Sequence, residues 1–159
     1  MFVKYLSAGI LLLVLVNCTS SPPAFDQTKA EQEILALHKA QRVYHFEKDS
    51  IAFAQQMSGD YVSVNRGQIT HPSVQDNISR YNSYFSAVEF VKWDDVSPPV
   101  IRFSDDGSMA YTVVDKEVIV EYKLSETETI LDSGYYAWVA IYKKQADGWK
   151  LDCVASTNR

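Results

Sequence analysis

Tyr135-Tyr136-Ala137-Trp138-Val139-Ala140-Ile141-Tyr142-Lys143 and Trp149-Lys150-Leu151-Asp152-Cys153-Val154-Ala155-Ser156-Thr157 flank Gln145-Ala146-Asp147-Gly148. Two runs rich in aromatic and β-branched residues around a turn sequence predict a β-hairpin. With residues 145–148 as the loop, Tyr142 opposes Leu151, Ala140 opposes Cys153, Trp138 opposes Ala155 and Tyr136 opposes Thr157. That face is aromatic, small and uncharged, and is expected to meet the helices. The other face carries Val139, Ile141 and Val154 beside Lys150 and Asp152. It is apolar enough to be covered by a second copy of the chain, a candidate homodimer face. A slip of one residue would exchange the two faces.

Upstream the strand character continues. Residues 88–96, 100–103 and 109–122 are β-prone, separated by Ser97-Pro98-Pro99 and Asp105-Asp106-Gly107, and residues 124–129 form a polar connection. Before residue 88 the period changes to that of helices. Residues 28–48 contain neither Gly nor Pro, with Thr28 and Glu31 in capping-box spacing. A short helix is expected at 50–57, a short strand at 61–64 and a turn at Arg66-Gly67. A third helix starts near His71-Pro72 and carries Val74, Ile78, Tyr81 and Phe85 along one stripe. Helices followed by a run of antiparallel strands are the signature of an α+β fold.

The N-terminal residues have a different character. Lys4 precedes an apolar run at residues 8–16, about half of the roughly 20 residues that cross a bilayer. Its length suits a signal-peptide core. Leu15-Val16-Asn17-Cys18 resembles the bacterial lipobox, in which the cysteine becomes the acylated first residue. The alternative is a plain secretory signal, for which Val16-Asn17 lacks the small residues ordinary cleavage uses. The expected division is therefore a signal at 1–17, a tether at 18–27 and a domain at 28–159, exported and held to the cell envelope through lipid on Cys18. Cys153 is the only other cysteine, so no disulfide framework exists. The formal charge is −5, with 15 Lys and Arg against 20 Asp and Glu. Without a basic stripe, nucleic acid is not an expected partner.

The run from Ile34 through Phe46-Glu47-Lys48-Asp49 to Phe53, Met57 and Asp60-Tyr61-Val62 resembles the opening of nuclear transport factor 2-like, SnoaL-like domains. Tyr142-Lys143-Lys144, Asp147-Gly148-Trp149-Lys150-Leu151 and Ser156 are similar to that family's closing hairpin. The resemblance spans about residues 30–158. It implies a cone in which N-terminal helices pack on a strongly curved antiparallel sheet, with a pocket between them. Members include isomerases, dehydratases and cyclases beside non-catalytic binding and assembly domains, so the fold does not select an activity.

Candidate site residues follow from chemistry and position. His38, Arg42 and His45 share a stripe of the first helix with Ile34 and Gln41; Leu37, Ala40 and Tyr44 form a competing apolar stripe. If the first stripe faces the sheet, His45 is placed for proton transfer; if the second does, the histidines are solvated. Asp60 precedes a strand, where an aspartate also serves as a turn residue. Asp115 and Glu117 share a strand face and fit acid–base work or, with Glu121, a solvated outer face. Arg80 is either solvated or at a pocket rim facing an anionic ligand. Tyr44, Tyr81, Trp93, Tyr136 and Trp138 are candidate walls for a flat apolar ligand, or plain core. The histidine spacing on one helix does not suit a metal, and no cofactor motif is present.

Overall fold

The computed structural model describes residues 25–125 and 127–158. The signal, Cys18 and all but the last part of the expected tether lie outside them. The elements are α1 (Gln27–Glu47), α2 (Ser50–Gln55), β1 (Met57–Asn65), β2 (Gln68–Thr70) and α3 (Val74–Ala87), then β3 (Glu89–Asp95), β4 (Val100–Phe103), β5 (Met109–Lys123), β6 (Thr129–Gln145) and β7 (Gly148–Asn158). Helices pack on one curled, open sheet of order β2-β1-β7-β6-β5-β3, with β4 on β5 beside β3. The fold is α+β.

Local chemistry sets the helix ends, with some displacement from expectation. Asp26, not Thr28, caps α1: its carboxylate accepts from the Lys29 backbone N–H at 3.0 Å. Phe25 already packs on Phe103, so the chain joins the fold before residue 28. Lys48 ends α1 in the left-handed region, and the Asp49 carboxylate then caps α2. α3 starts on a capping box between Ser73 and Asp76, just after His71-Pro72. The second helix stops at Gln55, two residues short of expectation, because Met57 is already paired with Leu151 of β7.

The sheet departs from expectation in three ways. β1 runs parallel to β7; every other pairing is antiparallel. β6 starts at Thr129, six residues before the expected strand, so β5 and β6 form a long ribbon. The closing hairpin pairs Tyr142 with Leu151 as expected, but Asp152 is a bulge, and Ile141 then pairs with Cys153 and Ala140 with Val154. The pairs expected at Ala140, Trp138 and Tyr136 are thus shifted by one residue, and beyond Asp152 the faces of β7 are exchanged. Further register shifts interrupt β1 and β3. Each such insertion bends its strand and strengthens the twist, which curls the sheet around the helices.

Inside the curl, Ile34, Phe53, Phe85, Trp93 and Tyr142 form the centre of one continuous core. α1 presents Ala30, Ile34, His38, Gln41 and His45 to it. The histidine stripe therefore faces the sheet, and the Leu37-Ala40-Tyr44 stripe lines a surface groove beside α2 and the β6–β7 turn. A polar stripe can be buried here because its groups are hydrogen-bonded. His38 donates to Asp95, Gln41 to Gln56, and Gln56 to the Leu37 carbonyl.

Candidate functional site

A cavity of about 370 Å³ opens between α1, α3 and the concave sheet face. Its inner part is formed by buried His45, Met57, Trp93, Ala140 and Leu151, and its mouth by exposed Asn65, Arg80, Tyr84 and Tyr136. Trp138 and Val154 line the wall between them. Val154 was expected on the outer face; the bulge at Asp152 turns it inward. The cone is not plugged by Tyr136, Trp138 and Phe85.

His45 is the buried titratable base of this cavity, 4% exposed. Its Nδ1–H donates to the Gln41 carbonyl at 2.6 Å, which leaves Nε2 as the acceptor of the neutral ring. The imidazole stacks on Trp93 at 4.2 Å and is enclosed by Phe53, Phe85 and Phe90. Burial among these rings drives its pKa down to about 4; the bond to Gln41 resists the shift and the charge of Lys116 adds to it. His45 is therefore uncharged near neutral pH. Burial also raises the pKa of the Tyr61 and Tyr81 hydroxyls, keeping them protonated.

Behind Trp93 lies a second, smaller hollow of about 180 Å³. The Asp95 carboxylate accepts there from His38 Nε2 at 2.8 Å and from Lys116 Nζ. Lys116 is 2% exposed and its ammonium sits 3.9 Å from the centre of the Trp93 ring. Burial would raise the Asp95 pKa, but hydrogen bonds from Lys116 and His38 outweigh it and hold the carboxyl below its usual range. Burial lowers the pKa of His38, against the pull of Asp95.

The structure thus brings His45, Arg80, Tyr81, Trp93, Tyr136 and Trp138 around one cavity. His38 is in the hollow behind Trp93, and Tyr44 is in the groove on the other side of α1. Asp60 is exposed on β1. Asp115 is turned away from the cavity and accepts from the backbone N–H and hydroxyl of Ser97, fastening the β3–β4 turn. Glu117 pairs with Lys92 on the outer side. Gln41, Tyr61, Asn65 and Ser156 line the cavity without having been singled out from sequence. Lys116 was missed although a signal existed: it alternates with inward Val114 and Val118, the one charge in that register. Among the described residues no cluster of three or more metal-ligating side chains occurs, and no helix is long and apolar enough to cross a membrane.

No family model matches the sequence, and no curated protein matches it. Solved structures do. A nuclear transport factor 2-like family protein from Streptomyces avermitilis, named as a candidate dehydratase, is similar at TM-score 0.69 and 11% identity, over 81% of this chain and 96% of its own. A candidate calcium/calmodulin-dependent kinase II association domain from Exiguobacterium sibiricum gives 0.65 and 17%, over 88% and 97%. A nuclear transport factor 2-like superfamily protein from Salmonella enterica serovar Typhimurium gives 0.64 and 15%, over 83% and 92%. At these identities the likeness concerns architecture alone, and it agrees with the curled sheet and N-terminal helices: the chain has the nuclear transport factor 2-like fold.

Proposed function

We propose that the domain binds a small, partly apolar molecule in its cone and is displayed at the cell envelope through lipid on Cys18. The observation that carries the binding reading is the open cavity of about 370 Å³, within the roughly 300–1,000 Å³ of small-molecule sites. Its walls are mostly aromatic and aliphatic, with a few polar groups to orient a ligand. The anchoring part rests on the apolar run and Leu15-Val16-Asn17-Cys18.

Binding is favoured over SnoaL-like proton transfer by the state of His45. A general base works best with a pKa near the working pH, and a pKa of about 4 makes this imidazole a weak base near neutrality. The named neighbours include a candidate dehydratase and a candidate association domain, so the fold leaves both classes open. We also propose that copies pair through the outer sheet face. Val100, Val113, Val139 and Ala155 form one cross-strand row there, with Tyr111, Ile141 and Cys153 in the next.

The test of binding is a thermal-shift screen of small aromatic compounds on the wild type and on Val154→Trp, which puts an indole into the cavity. A ligand at a hundred times its Kd stabilises by about 2.7 kcal/mol, a shift of several degrees. Compounds that stabilise the wild type and not the variant support the reading. Equal shifts in both proteins, or none in either, refute it.

A further inference from the structure

We propose that Arg80 recognises an acid, and that the molecule held in the cone is a flat organic monoanion with its carboxylate at the mouth. This rests on the cavity being a ligand site. The chain is acidic, with 20 Asp and Glu, yet among the described residues no carboxylate lines this cavity, and Arg80 is the cation that does. Lys116, the other nearby cation, is matched by Asp95 behind Trp93.

Arg80 is also positioned. Its guanidinium carbon lies 4.6 Å from the centre of the Tyr81 ring, and Nη2 donates to the Tyr81 hydroxyl at 2.7 Å. Stacking and this hydrogen bond hold the planar group while leaving its remaining N–H groups for a partner. Among the described residues Arg80 forms no ion pair with a carboxylate. A guanidinium matches a carboxylate in two-point geometry. Asn65 and Ser156, partners across the β1–β7 pairing, add polar groups to the same lining. Tyr136 stands beside Arg80 at the mouth, and further in Tyr81, Trp93, Trp138, Val118 and Leu151 line the cavity, an aromatic and aliphatic wall that suits a flat, apolar ligand body.

The test compares probes that share a ring and differ in charge: indole-3-acetate, indole-3-acetamide and tryptamine, with 2-naphthoate and 2-naphthamide as a second scaffold. Isothermal titration calorimetry is run on the wild type and on Arg80→Gln, a surface change that should leave the melting temperature alone. The acids are expected to bind roughly tenfold more tightly than their amides, and tryptamine least. Arg80→Gln should remove the preference for acids while leaving amide binding unchanged, and raised salt should weaken only the acids. Acid and amide binding equally, or an acid preference that survives Arg80→Gln, overturns the assignment of Arg80 while leaving the cavity a ligand site. If neither scaffold binds in any charge state, the binding reading falls and the inference with it.

Discussion

Lowering the pH from 7.5 to 5 should destabilise this domain through His45, and the size of the effect can be worked from its surroundings. The unfolded chain takes up this proton near the ordinary value of 6.5, whereas the native ring holds it off until about 4. Between those values the unfolded state binds more protons. The stabilisation is thus complete above 6.5 and is lost as the pH falls toward 4. At about 1.36 kcal/mol per pH unit the full effect is about 3 kcal/mol, of which about 2 kcal/mol is lost between pH 7.5 and 5. Stopping at pH 5 keeps Asp95 and Asp106 out of the comparison. Their pKa values are lowered by hydrogen bonds, so their contributions are lost only at lower pH. The control is His45→Phe, which keeps a ring against Trp93 and leaves the Gln41 carbonyl its helical N–H partner. Urea denaturation at the two pH values measures the difference. With an m-value of about 1.5 kcal/mol/M, the wild-type midpoint should fall by about 1 M more than that of the variant. His38 acts in the same direction but is present in both proteins. If the two midpoints fall equally, His45 is not a buried neutral ring, and the description of the cavity's inner end is wrong.

Lys116→Met removes one of the two partners of Asp95 and should cost about 1–3 kcal/mol by urea denaturation. Because the charge of Lys116 lowers the His38 pKa, the His38 titration followed by NMR should move up in this variant; an unmoved titration would refute the coupling. Val139→Asp places a charge in the middle of the Val100-Val113-Val139-Ala155 row and should convert dimer to monomer in light scattering, an unchanged mass refuting pairing through this face. Cys18→Ala should abolish metabolic labelling with a fatty acid and release the protein from membranes; retained label would refute acylation at this residue.

What could be read from the sequence was what depends on near neighbours. Alternation along residues 135–143 assigned Tyr136, Trp138 and Tyr142 to the inner face, because period-two patterning is a local property. The bulge at Asp152 was not legible: one inserted residue leaves both flanking alternations intact and only changes which partner each residue meets. Val154 consequently moved from the outer face to the cavity wall. The parallel pairing of β1 with β7 joins residues 57–65 to 151–156, and no short-range pattern encodes so distant a contact. The choice between the two stripes of α1 was hidden for the same reason. Burying His38 is tolerable only with Asp95 beside it, 57 positions away, and Gln41 likewise needs Gln56.

Lys116 shows where alternation could have carried further. In β5 the inward register is Ala110, Thr112, Val114, Lys116, Val118 and Val120, and a buried charge in such a row requires a partner of opposite charge. Asp95 is that partner, and it stands on the far side of Trp93 from the cavity. The indole thus stands between two groups of titratable side chains. On one side the Lys116 ammonium is neutralised by Asp95; on the other, His45 is kept uncharged by its ring enclosure. With those two accounted for, Arg80 is the cation in the cavity lining among the described residues. A cationic ligand would meet it without an acid to compensate, a neutral one would leave it unused, and an acid would complete it.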